Sequence, residues 1–281
     1  MITTSSTRSL PAPRPLRLEP LTLVRHCIGR FGAEPSLYEQ LRFSPFLVQM
    51  VVTRACNLRC AYCNEYSVEG REVPINQVKA QLDKVRALGA LAVEFTGGEP
   101  LLHPGLIEAV RHATALDFPA RMLISNAYLM NEEKILALND AGLTELQVSV
   151  DGRHGNDVTH KVLSLVEDKL RLIARLARFR VQLSGVIGAC GPEEVLAMVD
   201  VARELGFVPR ILVIHDEQGQ IKADHANLSV LDEAKRRMGR GFRESGGYRE
   251  RLLAEQPAPF KCRAGARYLY IDEYGLVHWC S

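Results

Sequence analysis

The sequence predicts an α/β fold, a partial (β/α)6 TIM-like barrel of parallel strands with a short C-terminal β-hairpin extension. Three observations carry that expectation. Six short apolar runs, Val48–Thr53, Ala92–Phe95, Met122–Ser125, Leu146–Val150, Val181–Ile187 and Val208–Ile214, alternate with segments of helical period. Nearly continuous apolar runs suit strands buried on both faces, and such strands joined by crossover helices wind with one hand. Polar residues and glycines gather just past the carboxyl end of each run, where the loops of this architecture build active sites.

The 281 residues divide into an N-terminal arm and cover segment (1–45), the core barrel (46–216) and a C-terminal extension (217–281). At 47% hydrophobic and 24% charged, the composition is that of a folded globular chain. A net charge of +2 indicates no nucleic acid or other polyanion as partner. No apolar run approaches the roughly 18 residues of a membrane span, and the first twenty residues lack the apolar block of a secretory signal. Of seven cysteines three are clustered, which fits a reducing compartment better than a disulfide framework, so a cytoplasmic placement is expected. Met1–Glu19, rich in Ser, Thr, Arg and Pro, faintly resembles a transit peptide but is read as a loosely packed arm.

In chain order, residues 21–45 suggest a short helix or two under the barrel, with Cys27 as a small buried hydrophobe. Val78, Leu82, Val85 and Leu88 define the face of a first helix, started by Asn76 and stopped by Gly89. Leu106, Ile107 and Val110 mark a second, and Asn131 with Glu132 and Glu133 opens a third that Gly142 ends. Val162, Leu165, Val166, Ile173 and Leu176 place a fourth, whose Lys169, Arg171, Arg175, Arg178 and Arg180 read as solvent-facing charges. Pro192, Val195, Val199 and Ala202 place a fifth. A helical piece near Leu231–Met238 carries Lys235, Arg236 and Arg237, and Tyr268–Ile271 and Leu276–Cys280 flank Asp272-Glu273-Tyr274-Gly275 as a hairpin.

The chemistry concentrates in Cys56-Asn57-Leu58-Arg59-Cys60-Ala61-Tyr62-Cys63, directly after the first strand. Three thiolates on one loop can converge on an iron–sulfur cube, leaving one iron open to bind a small molecule and pass it an electron. The competing reading is a zinc-binding or non-catalytic iron–sulfur module, but structural zinc takes four protein ligands and no fourth lies near the triplet. After the second strand, Gly97 and Gly98 let backbone approach a ligand closely, Glu99 can accept from an ammonium group, and Pro100 stiffens the turn. Ser125-Asn126, Ser149 to Gly152, Gly188 to Gly191 with Cys190, and His215-Asp216 end the later strands.

Cys56-x3-Cys60-x2-Cys63, with Tyr62 before the last cysteine, and the Gly97-Gly98-Glu99-Pro100 loop resemble the radical S-adenosylmethionine (SAM) superfamily, over roughly residues 46–216. The resemblance implies a [4Fe-4S] cluster on Cys56, Cys60 and Cys63, with SAM chelated at the open iron through its amino and carboxylate groups. One-electron reduction would then give methionine and a 5′-deoxyadenosyl radical that takes a hydrogen atom from a substrate. By position, Ser125, Asn126, Ser149 and Asp151 look like ribose or carboxylate contacts, and Gly185 to Gly188, with Ile187, followed by Glu194, like an adenine shelf. The implied partners are a flavodoxin- or ferredoxin-like electron donor and a peptide or small-molecule substrate.

Cys262, Gly275 and Cys280 resemble the opening half of the SPASM or twitch extension, which binds an auxiliary iron–sulfur cluster. Two thiolates do not complete such a cluster, so truncation, borrowing of Cys27 or Cys190, and idle thiols are the competing explanations. A partner protein that keeps the fold without the catalysis is the remaining alternative. The eight histidines form no zinc-type pair, and His215, at the end of the sixth strand, is the one to follow.

Overall fold

The computed structural model describes residues 44–67, 69–214, 225–238, 251, 256 and 262–280. In chain order these form β1 (Leu47–Thr53), α1 (Ile75–Ala87), β2 (Ala92–Gly97), a 3₁₀ turn (Pro100–Leu102), α2 (Leu106–Ala115), β3 (Ala120–Ser125) and α3 (Glu132–Ala141). They continue as β4 (Glu145–Ser149), α4 (Leu163–Leu176), β5 (Arg180–Ile187), α5 (Pro192–Glu204), β6 (Val208–Val213), α6 (His225–Met238), β7 (Tyr268–Ile271) and β8 (Val277–His278).

One sheet runs β6-β5-β4-β3-β2-β1-β7-β8, and every pair from β6 to β1 is parallel. Because β6 and β1 are not neighbours, the barrel is open, as the sequence predicts. One face of the strands is apolar: Val48, Met50, Val93, Phe95, Leu123, Leu146 and Leu183 are fully buried and share a core with Val78 and Leu82 of α1, Val110 of α2, Ile135 of α3 and Ile173 of α4.

The other face departs from the expectation of strands apolar on both sides. Neighbours in register there are polar: Gln49 opposite Glu94, and Gln147 opposite Gln182. The Gln49 amide donates to Glu94 at 2.5 Å, the Tyr268 hydroxyl donates to Gln49, and Arg210 donates to Gln147 at 2.7 Å. Burial raises the Glu94 pKa above the ordinary carboxylate range, and the Gln49 bond opposes it. In an open barrel the inner face lines a lumen rather than a core, so polar side chains satisfied by one another are tolerated.

The third helix starts as its sequence indicates, the Asn131 side chain accepting from Lys134 N at 2.9 Å, and ends at Gly142 with φ +90°. Other boundaries need correction. Asn76 lies inside α1, whose N-cap is Pro74 without a side-chain bond, because Pro74 sets the extended backbone from which the helix starts. Leu88 (60% exposed) and Leu165 (62% exposed) turn to solvent instead of joining their helix faces. Arg178 follows the end of α4 and pairs with Asp140, while Arg180 lies on β5 beside Glu145. The α6 charges behave as surface charges, Arg237 pairing with Glu233 and Asp200.

The C-terminal hairpin forms with Gly275 at φ +85°, and its first strand also pairs in parallel with β1 from Leu47 to Met50. Cys27, His215 and Asp216 lie outside the described residues. No helix among the described residues is long and apolar enough to cross a membrane.

Replacing Asn131 by Ala should cost about 1 kcal/mol of unfolding free energy, and Asn76→Ala less than about 0.5 kcal/mol. Urea unfolding of the two variants checks this; equal losses would contradict the cap assignment.

Candidate functional site

At the carboxyl ends of β1 to β4 a cavity of about 200 Å³ is lined by Cys56, Cys60 and Cys63, by Gly97, Gly98, Ser125, Asn126 and Ser149, and by Gln49, Glu65, Tyr66 and Lys161. Cys60 is 2% exposed, and Cys56 and Cys63 are half-buried. The sulfurs meet N–H donors, Leu58 N at 3.4 Å from Cys56 Sγ and His160 N at 3.4 Å from Cys60 Sγ. Burial raises the Cys56 pKa, while that bond and the Lys161 charge act the other way.

The glycine pair is required by backbone contact. A Cβ on Gly97 would stand 2.0 Å from Thr53 O, and one on Gly98 2.2 Å from Ala55 O. The same approach lets Gly98 N donate to Thr53 O at 2.8 Å and Glu99 N to Ala55 O at 2.7 Å. The loop after β2 is thereby fastened to the start of the cysteine loop.

Glu99 stands behind the cavity wall, fully buried. Its carboxylate accepts from Leu101 N (3.0 Å), Ser125 Oγ (2.9 Å) and Asn126 N (2.7 Å). Burial raises its pKa, and these three donors oppose the shift. Asn126 in turn donates to Asn57 Oδ1 at 2.8 Å, so the carboxylate holds the cysteine loop through one intermediate. The turn after β3 contains Ala127 at φ +61°, a left-handed conformation uncommon for a residue with a Cβ, held by a bond from Ala127 N to Ser125 Oγ at 2.9 Å.

The segment after β4 grips the loop from the other side, with Ala61 N donating to Val158 O at 2.8 Å. Asp151, 1% exposed, accepts from the Tyr62 hydroxyl and from Thr159 Oγ1, both at 2.6 Å, and from Val186 N at 3.2 Å. Burial and the Asp151 charge raise the Tyr62 pKa well above its usual value. On the β7 side, Arg54 donates to Glu273 (2.7 Å) and to Glu65 (2.6 Å), and the Tyr270 hydroxyl also donates to Glu65 at 2.7 Å. Burial works against the Arg54 charge, yet the bond to Glu273 and the carboxylates raise its pKa.

The structure thus brings Cys56, Cys60, Cys63, Gly97, Gly98, Ser125, Asn126 and Ser149 around one cavity. Tyr62, Glu99 and Asp151 support its wall, Pro100 opens the buried 3₁₀ turn behind it, and Ile187 is buried at the end of β5. Cys190 packs where a Cβ on Gly152 would meet its sulfur at 2.9 Å, and Cys262 and Cys280 are exposed beside the β7–β8 hairpin. Asn57, Glu65, Thr159, Lys161 and Arg54 escape the sequence reading. For Arg54 and Glu65 the only signal is position, two residues outside the first and last cysteines of the triplet.

The profile of the Radical SAM superfamily matches residues 50–220. The PqqA peptide cyclase of Rhodopseudomonas palustris is 38% identical over 111 residues, covering 38% of this chain and 29% of that protein. The AdoMet-dependent heme synthase of Methanosarcina barkeri is 29% identical over 179 residues, covering 59% of this chain and 49% of that protein. The matched regions therefore span less than half of these relatives' length. Among solved structures, Streptococcus suis SuiB bound to S-adenosylmethionine shares the fold, with a TM-score of 0.66, 16% identity and coverage of 87% of this chain and 62% of that one. SuiB bound to its precursor peptide SuiA also gives a TM-score of 0.66, at 15% identity and coverage of 92% and 64%.

Burial and the nearby Asp151 and Glu194 carboxylates push the Cys190 thiol up to about 11. Below that pH it is mostly the unreactive thiol. Iodoacetamide at pH 8 should therefore label exposed Cys262 and Cys280 at least about tenfold faster than Cys190, whose rate climbs as the pH nears 11. Peptide mass mapping reads the rates; equal rates at pH 8 would contradict the burial described.

Proposed function

The chain belongs to the radical SAM superfamily, and from that premise we propose an enzyme whose Cys56, Cys60 and Cys63 hold a [4Fe-4S] cluster beside a cavity that binds S-adenosylmethionine. When bound, the cluster supplies the electron that splits SAM into methionine and a 5′-deoxyadenosyl radical, and that radical takes a hydrogen atom from a peptide or small-metabolite substrate. The observation that carries the reading is the opening of all three cysteines onto one cavity at the strands' carboxyl ends.

The donor set fits the cluster. Each thiolate of a cube serves a different iron, so the sulfurs stand apart, whereas a single ion draws its donors together. Three thiolates lining one cavity match the three held corners of such a cube, whereas structural zinc takes four protein ligands. N–H donors aimed at Cys56 and Cys60 suit thiolate ligands.

In this reading the chain's own residues hold, orient and exclude. The backbone edges of Gly97 and Gly98, with Ser125, Asn126 and Ser149, offer polar groups to the amino-acid and ribose ends of SAM. Glu99 keeps those edges in place rather than presenting a bare carboxylate. Asp151 fixes Tyr62 through a hydrogen bond, while Ile187 is buried at the end of β5 and is not among the residues that line the cavity. Below the rim Gln49 of the polar inner face lines the same cavity, which suits a substrate with polar groups, such as a peptide. The peptide cyclase and SuiB likenesses support that class, and a one-electron donor of flavodoxin or ferredoxin type completes the requirement. Cys262 and Cys280 supply two thiolates toward an auxiliary cluster; Cys190 packs instead against Gly152 after β4, so borrowing it is disfavoured.

Reconstituted anaerobically and reduced with dithionite, the protein should convert SAM to 5′-deoxyadenosine, read by chromatography, and Cys60→Ala should reduce the yield to background. Cleavage that persists in this variant contradicts the assignment.

A further inference from the structure

We propose that Lys161 sets the reduction potential of the cluster, its cationic side chain lining the same cavity as the cysteines so that the reduced state is favoured. The inference rests on the cluster reading above.

Lys161 shares the cavity wall with Cys56, Cys60 and Cys63. Its position is fixed by a bond from Nζ to the Tyr62 hydroxyl at 3.0 Å and by a stack 4.9 Å from the Tyr62 ring centroid. Tyr62 passes its own proton donation to buried Asp151 at 2.6 Å. The nearest acid in this chain of contacts is thus one phenol away, and among the described residues Lys161 makes no direct ion pair that would cancel its charge. Tyr62 is the residue before Cys63, so the anchor and the cysteine loop are one piece of chain.

The residues just before Lys161 act on Cys60 itself. His160 N donates to Cys60 Sγ at 3.4 Å, and Thr159 Oγ1 lies 3.7 Å from the same sulfur. Cluster potentials follow net charge and hydrogen bonds to sulfur. Three thiolates leave the site negative, and one further electron, delivered by a flavodoxin- or ferredoxin-class donor that is itself oxidised, makes it more so. A nearby cation stabilises the reduced form more than the oxidised one; no bond or proton need move.

The test is a potentiometric titration of the reconstituted full chain without SAM, followed by electron paramagnetic resonance, on wild type, Lys161→Met and Lys161→Arg. At the potential that half-reduces wild type, the ratio of reduced to oxidised cluster should fall at least about tenfold in Lys161→Met, a displacement of about 59 mV for one electron. Lys161→Arg, which keeps the charge, should stay within about threefold of wild type on the same scale. If Lys161→Met fails to retain iron, Lys161→Gln, which keeps a donor toward Tyr62, must show the same fall. A wild-type midpoint in the neutral variant that retains iron overturns the proposal. Absence of a cluster in wild type would instead strike the underlying functional reading.

Discussion

Glu99 is a buried acid that makes no ion pair among the described residues, and the organisation of the rim depends on how its charge is satisfied. Burial pushes the carboxyl toward its neutral form, and the donors from Leu101, Ser125 and Asn126 draw it back. Each of them would cost about 1–3 kcal/mol if left without an acceptor. The acid joins the end of β2 to the turn after β3, and Asn126 carries the restraint to Asn57 inside the cysteine loop. The loop is thus placed by a network whose members all need one another, which makes it rigid before any cofactor arrives.

Two further restraints act on the same loop. The β4 side contributes Asp151, Tyr62 and Thr159, and the β7 side contributes Arg54, Glu65, Tyr270 and Glu273. Arg54 stacks 5.9 Å from the Tyr270 ring centroid as well as pairing with two acids, so the C-terminal hairpin grips both ends of the cysteine segment. Contacts of this kind, half-buried and sharing partners, are worth more than isolated surface pairs. The hairpin is consequently part of the framework that holds the site, besides carrying Cys280.

Much of this was legible in the residues. Strand order along the chain and the crossover helices follow from the alternation of apolar runs with helical period, and the cysteine triplet and glycine pair mark the rim by spacing alone. The polar inner face was less visible: in Val48 to Thr53 only Gln49 and the terminal Thr53 interrupt the apolar letters, so a lumen-facing row reads as noise inside a buried strand. Gly97 and Gly98 in sequence suggest closeness to a ligand, whereas the contact that demands them is with Thr53 and Ala55, brought near only by sheet pairing. Thr159 and Lys161 could not be found from spacing, because about a hundred residues separate them from the cysteines they touch or face. Long-range register, rather than local propensity, decides such contacts.

The proposed cluster is held at three corners with its fourth iron reserved for SAM. Mössbauer spectroscopy of the iron-enriched, anaerobically reconstituted protein tests this most directly. Addition of SAM should change the spectrum of one iron in four and leave the other three as they were. Four irons that ignore SAM, or a protein that retains no iron and sulfide at all, would contradict the account.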